Sequence, residues 1–324
     1  MSREPRDLDP LNAHLDRAWD LVAEGDFEGA FAAAQKSLEI DEASPEAHNL
    51  MGYVLAANGQ LGDALEHYRE AIELDGSFFE AMLNASEAFL QLGQLQEALA
   101  MASDAQDVAH TDDEKADALL LQIDALLAAG RREEAEALVP DLPRGPFDNQ
   151  HLEFLVGRAL YETGDVEGAS MRIEQAALTG STDPEVFYYL GLVRENRGDV
   201  RGATAAFLQS RDLELDLPRA PWSEPFARFE RRVAAALRAL PEALAHALDG
   251  ALVVVDDLPG AEVVSEGIDP RATVLLDDLP LSDGTTLRRC FVYQRNVERL
   301  VTGPEQVEDT LVRVLSEEIP RAFD

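Results

Sequence analysis

The sequence predicts a mainly α-helical chain: about six helical hairpins over residues 11–217, followed by a small α+β domain. Three observations predict it. A glycine followed five residues later by alanine recurs six times at near-constant spacing. Alanine and leucine dominate while aromatic residues make up only 6%, a composition suited to closely packed helices. After Leu217-Pro218 the period stops, and short β-branched runs separated by Pro-Gly and Asp-Gly pairs take over.

The recurring pairs are Gly25/Ala30, Gly59/Ala64, Gly93/Ala98, Gly130/Ala135, Gly164/Ala169 and Gly198/Ala203, with the glycines 34, 34, 37, 34 and 34 residues apart. Each glycine stands where a first helix must end and the chain turn back through a left-handed backbone position that glycine reaches cheaply. Seven residues before the turn the side chain is small (Ala18, Gly52, Ser86, Gly157, Gly191), facing the alanine that follows the turn, so the two helices of a hairpin approach closely. Leu21, Leu55, Phe89, Leu126 and Leu160 on first helices, with Tyr68 and Phe207 on second helices, are then expected to fill the space between neighbouring hairpins, because no hairpin covers its own apolar face. The units read as 11–44, 45–78, 79–112, 116–149, 150–183 and 184–217, after a charged leader over 1–10. A three-residue insertion around Thr111–Asp113 precedes the fourth unit, and Pro140, Pro143 and Pro146 cut its second helix short, so a kink or looser packing is expected near 140–149.

The pattern resembles the tetratricopeptide repeat (TPR) family, most clearly in PEAHNLMGYVLAANGQLGDALEHYREAIELDGSF at 45–78. The usual proline after the second helix is replaced by Glu42, Gly76 and His110. The resemblance implies a right-handed α-solenoid whose first helices line a concave protein-binding face. Carried onto this chain, the groove candidates are Asn49, Tyr53, Leu83, Asn84, Glu87, Phe154, Arg158, Tyr161, Tyr188, Leu192 and Asn196. Some members of the family clamp a terminal carboxylate with Lys, Arg and Asn. Here Asn49 and Asn84 are present, but Lys36 and Lys115 are the only lysines, so a basic and apolar segment is the expected ligand.

The formal charge of −36 is concentrated at the front: residues 1–218 carry −29 and residues 219–324 carry −7. A field of that sign disfavours nucleic acid and anionic membranes and favours basic partners. One cysteine, Cys290, excludes an internal disulfide framework and suits a reducing compartment. No apolar segment at the N-terminus reads as a secretory signal and no run is long enough to span a bilayer, so the expectation is a cytoplasmic protein.

In the last hundred residues, 218–225 reads as a linker, Phe226 to Leu240 as an amphipathic helix and Pro241 as the start of a second short one. Strands are expected at 251–255, 272–276 and 290–293, and a final helix from about Gln306 to Pro320. The stretches FERRVAAALRALPEAL, ALVVVDDLP, CFVYQRNVERL and EDTLVRVLSEEIPRAF resemble the minimal zincin metallopeptidases over residues 226–323. In that family the last helix carries His-Glu-x-x-His, two zinc ligands one turn apart and a glutamate that activates water. Here the matched ligand positions hold Glu317 and Arg321, Glu318 stands at the base position, and no histidine follows His246. The resemblance therefore implies a catalytically dead zincin-like module with no cofactor and no metal.

Asp256-Asp257 and Asp277-Asp278 end strand-like runs, where acids more often close turns than hold a cation, and Cys290 lies inside an apolar run as a core residue. The sequence therefore points to a protein–protein interaction scaffold or adaptor with an acidic groove. The alternative is a metallopeptidase-related enzyme whose substrate the repeats recruit. A regulator that pairs with an active homologue stays open beside them.

Overall fold

The computed structural model describes residues 10–220, 222–282 and 285–323. The leader expected over 1–10, apart from Pro10, and the Asp283-Gly284 turn lie outside them. The described chain is mainly helical, 69% helix with one small sheet. It divides into two compact units, residues 1–176 and 177–324.

In the first unit, helices α1 (Pro10–Ala23), α2 (Phe27–Ile40), α3 (Pro45–Ala57), α4 (Leu61–Leu74), α5 (Phe79–Gln91), α6 (Leu95–Val108), α7 (Asp112–Ala128), α8 (Arg132–Leu138), α9 (Gln150–Thr163) and α10 (Val166–Leu178) pair consecutively into hairpins. The second unit opens with the same motif, α11 (Pro184–Asn196) and α12 (Val200–Asp216). The turn glycines do what the sequence requires of them. Gly59 has φ +77°, its N–H bonds the Ala56 carbonyl at 2.8 Å, and the N–H of Gln60 bonds the Leu55 carbonyl at 2.9 Å, closing the helix end.

Close approach inside the hairpins is also as expected, but its partner differs. A Cβ placed on Gly52 would lie 2.5 Å from the Tyr68 ring and 3.1 Å from the Ala64 carbonyl, and the equivalent Gly191 faces the Phe207 ring. Ser86 uses the same gap to donate its hydroxyl to the Ala98 carbonyl at 2.9 Å. Tyr68 and Phe207 thus fill the seam within their own hairpins, against the glycine, as well as packing outward, and the turn-following alanine contributes its backbone. Leu50, Val54, Leu55 and Tyr68 form one buried cluster with Leu15 and Leu21, so neighbouring hairpins share a core.

The fourth hairpin shows how the insertion and the prolines are absorbed. Thr111 caps α7 in a reciprocal capping box with Glu114, and α7 gains length at its N-terminus, 17 residues against 13 in α3 and α5. The prolines do shorten the second helix, to the seven residues of α8 and a 3-10 turn at Val139–Asp141. They do not loosen the packing. Leu142 and Phe147 are buried with Leu119, Ile123 and Leu152, and the Asp113 carboxylate accepts the N–H groups of Asp148 and Asn149 at 3.2 and 2.8 Å. The compact units divide at Ala176/Ala177 instead.

The rest of the second unit comprises α13 (Phe226–Ala239), α14 (Glu242–Ala247), β1 (Leu252–Asp256), α15 (Ala261–Ser265), β2 (Val274–Pro280), β3 (Thr286–Tyr293), α16 (Gln294–Glu298) and α17 (Val307–Phe323). The sheet order is β1-β3-β2, with β1 parallel and β2 antiparallel to β3. Phe229, Val233 and Ala236 of α13 and Leu311, Leu315 and Ile319 of α17 close over Cys290 and Val292 of β3. Burial pushes the Cys290 thiol up to about 12, the environment of a core residue. Asp277 and Asp278 pair across the strands with Arg289 and Arg288. The stretch expected to be a linker carries Glu224, buried and bonded by both oxygens to Arg232 at 2.6 and 2.8 Å, and Ser223, which donates to Glu298 at 2.7 Å. The Arg232 hydrogen bonds hold the Glu224 carboxyl below the usual carboxylate range. Helices α15 and α16 were too short to read from periodicity, and α17 continues through Pro320 to Phe323. Among the described residues no helix is long and apolar enough to cross a membrane.

One substitution tests the hairpin seam. Gly52→Ala should destabilise the chain by roughly 1–3 kcal/mol in chemical denaturation, because the methyl group meets the Tyr68 ring in a packed core. Tyr68→Leu in the same chain should recover part of that loss. An unchanged midpoint for Gly52→Ala contradicts the seam.

Candidate functional site

The first helices of the five hairpins in the first unit surround a cleft of about 620 Å³. Every lining residue belongs to a first helix: Trp19 on α1; Asn49 and Tyr53 on α3; Glu80, Leu83, Asn84, Glu87, Leu90 and Gln91 on α5; Asp117, Leu120, Leu121 and Asp124 on α7; Leu155 and Arg158 on α9. The repeat puts them there. Trp19, Tyr53, Glu87, Asp124 and Arg158 all stand six residues before their turn glycine, so one position recurs down the wall.

One end is aromatic. The Trp19 and Tyr53 rings lie 5.2 Å apart at a 58° tilt and are 40% and 37% exposed. Asn84 donates to Asn49 Oδ1 at 2.9 Å and ties α5 to α3 across the cleft floor. Carboxylates dominate beyond it. Asp124 accepts a hydrogen bond from Arg158 at 2.7 Å, while Glu80, Glu87 and Asp117 share the same walls. Desolvation by the surrounding walls raises the Asp117 carboxyl to about 6, helped by the negative charges of Asp113, Glu87 and Glu114. Glu87 is exposed as a residue, yet its carboxyl is raised too, first by desolvation and then by Asp124.

Six of the residues read from the sequence meet here: Asn49, Tyr53, Leu83, Asn84, Glu87 and Arg158. The others do not. Phe154 is 1% exposed, in the interior with its ring 5.7 Å from His151. Tyr161 is half-buried outside the cleft lining. Tyr188 and Leu192 belong to the second unit and are packed there with Phe207 and Val264, and Asn196 is exposed at the end of α11. Trp19, Asp117 and Asp124 were missed, although Trp19 lies one period before Tyr53 and Asp124 one 37-residue period after Glu87.

The residues matched to the zinc site of minimal zincins lie on α17. Glu318 accepts a hydrogen bond from Arg321 at 2.6 Å, and Glu317 pairs with Arg313 at 3.4 Å. Arginine is a fixed cation, and these side chains do not fit a zinc site. Among the described residues no group of three or more His, Cys, Asp or Glu is placed to hold a metal ion.

Residues 45–78 match the family model of the tetratricopeptide repeat. No curated protein sequence matches the chain. Among solved structures, PilF of Pseudomonas aeruginosa is similar over 64% of this chain and 93% of its own, with 17% identity and a TM-score of 0.53. A chain of the APC/C hetero-tetramer Cut9–Hcn1 is similar over 64% of this chain and 40% of its own, with 14% identity and a TM-score of 0.54. At these identities the likeness shows the fold, a tetratricopeptide-type stack of helical hairpins.

The raised Asp117 carboxyl predicts a pH-dependent stability. Its folded value, about 6, lies above the 3.8 of an ordinary aspartate, so the folded state binds more protons between the two. The ionised group therefore destabilises the fold progressively as pH rises from about 4 through 6. Asp117→Asn should stabilise the chain at pH 7.5 by roughly 1–2 kcal/mol after solvent screening, with the gain vanishing near pH 4. Thermal melts of both proteins across that range check it, and an equal gain at both ends contradicts it.

Proposed function

We propose that the chain is a protein–protein interaction scaffold whose first-helix cleft captures an extended partner segment combining basic and apolar residues. The observation that carries this reading is the cleft itself: two exposed rings at one end, then four carboxylates whose one lining cation, Arg158, is paired with Asp124. Rings offer large contact area at low entropic cost, and crowded carboxylates gain when a cation enters. The repeat fold supports a scaffold role in general, and the acidity of the groove supports a cationic partner. In this reading the protein is not an enzyme, works in the cytoplasm, and keeps the C-terminal module as a degenerate zincin-like fold. The arginines paired with Glu317 and Glu318 support that last part and disfavour the metallopeptidase alternative.

The test is fluorescence anisotropy on the full chain with a labelled peptide alternating lysine and leucine, against one with glutamate in place of lysine. The lysine peptide should bind and the glutamate peptide should not. Raising salt from about 0.05 to about 0.5 M shortens the Debye length from roughly 14 to roughly 4 Å, so association should slow markedly. Trp19→Ala and Tyr53→Ala should each accelerate dissociation, at a cost of about 1–2 kcal/mol. Affinity indifferent to peptide charge and to both rings overturns the reading. Metal analysis of the purified chain should give far less than one zinc per chain, and stoichiometric zinc lost on mutating α17 would revive the enzyme.

A further inference from the structure

The sixth hairpin carries an internal example of what this kind of face takes. Glu185 and Tyr188 on α11 lie thirteen and ten residues before their turn glycine, the positions that Glu80 and Leu83 hold on α5 and that Asp117 and Leu120 hold on α7. On α11 those positions are occupied by the chain itself. The Arg271 guanidinium lies 3.9 Å from the centroid of the Tyr188 ring and reaches Glu185 at 3.4 Å, while the Tyr188 hydroxyl donates to Asp269 at 3.1 Å. The loop is built to present that arginine. Asp269 accepts the Arg271 N–H at 2.7 Å, and the buried Asn296 amide donates to the carbonyls of Pro270 and Ala272 at 2.8 and 2.7 Å. Preorganisation of this kind lowers the entropic cost of docking.

We infer that the cleft of the first unit takes an arginine specifically: a partner loop that lays a guanidinium flat on the groove and against the carboxylates at the Glu80 and Asp117 positions, as Arg271 does at Glu185. The inference rests on the peptide-binding reading proposed above and narrows its ligand. In the cleft, the Tyr53 and Trp19 rings on α3 and α1 supply flat surfaces on the same wall, and Leu83 and Leu120 hold the position of Tyr188 on α5 and α7. A guanidinium is planar and weakly hydrated, so it stacks and bonds a carboxylate at once, whereas an ammonium holds its water and has no face to stack.

Calorimetric titration of the full chain tests this with a cyclised peptide of residues 267–273, Gly-Ile-Asp-Pro-Arg-Ala-Thr, its lysine and citrulline versions, and the lysine–leucine peptide above. The arginine form should bind one per chain, the lysine form about tenfold more weakly, and the citrulline form not measurably. The double variant Glu80→Gln, Asp117→Asn should weaken the arginine form by at least about tenfold. Equal affinity for arginine and lysine forms, or binding of the lysine–leucine peptide alone, overturns the inference and leaves the broader reading standing. Binding of none of these peptides overturns both.

Discussion

The geometry of the groove depends on how closely the two helices of each hairpin approach at one small residue. Gly52 lets the Tyr68 ring lie against the α3 backbone, Gly191 does the same for Phe207, and Ser86 bonds the Ala98 carbonyl across the equivalent gap. That contact fixes the rotation of each first helix about its axis. With rotation fixed, the residue six places before the turn glycine faces the cleft in all five hairpins of the first unit, which is why Trp19, Tyr53, Glu87, Asp124 and Arg158 come together from five different helices. The chemistry of the wall is free to vary because the seam behind it does not.

That wall is held at an energetic cost. Desolvation, with carboxylates beside one another, raises Asp117 and Glu87. Asp113 and Glu114 show the contrast: they sit near the same helix start but accept backbone N–H groups, from Asp148 and Asn149 and from His110 and Thr111. Acids at a helix start stabilise it, whereas Asp117 and Glu87 on the concave wall are raised by desolvation and by neighbouring carboxylates. In the function proposed above, that repulsion is relieved when a cation enters the cleft.

The fold was legible because its signals are local. A left-handed glycine, a small residue seven places earlier and a constant period leave a hairpin stack as the consistent solution. The site was half legible. Asn49, Tyr53 and Glu87 follow from position alone, and Trp19 and Asp124 follow once the period is carried across the 37-residue step. Phe154 lies outside the same logic because its position is mostly covered in the first unit: Asn49 there is 5% exposed and Leu120 4%, and Phe154 itself is 1% exposed. Tyr188 and Leu192 lie apart from the cleft for a different reason. Their fate is set by residues some eighty positions later, which no repeat arithmetic contains.

Those later residues also explain why the chain continues beyond its last hairpin. A repeat array leaves an apolar face on its final unit, and something must cover it. In the second unit α15 does so: Val264, 1% exposed, packs against Ala203 and Phe207 of α12 where a further first helix would otherwise stack. Around it the contact is polar. Arg211 donates to the Pro259 carbonyl, Arg295 to the carbonyls of Glu214 and Leu217, and Arg299 pairs with Glu214. Burial and the neighbouring Arg271 lower the Arg299 value, so this guanidinium is held in place against its own desolvation by Glu214 and Glu185. One valine with arginines on acidic hairpin surface is thus the arrangement by which this chain docks onto its own repeat. In the reading proposed above, the same pairing of an apolar anchor with guanidinium groups, presented by a stiff loop, is the complement that the acidic, ring-bearing cleft of the first unit would take.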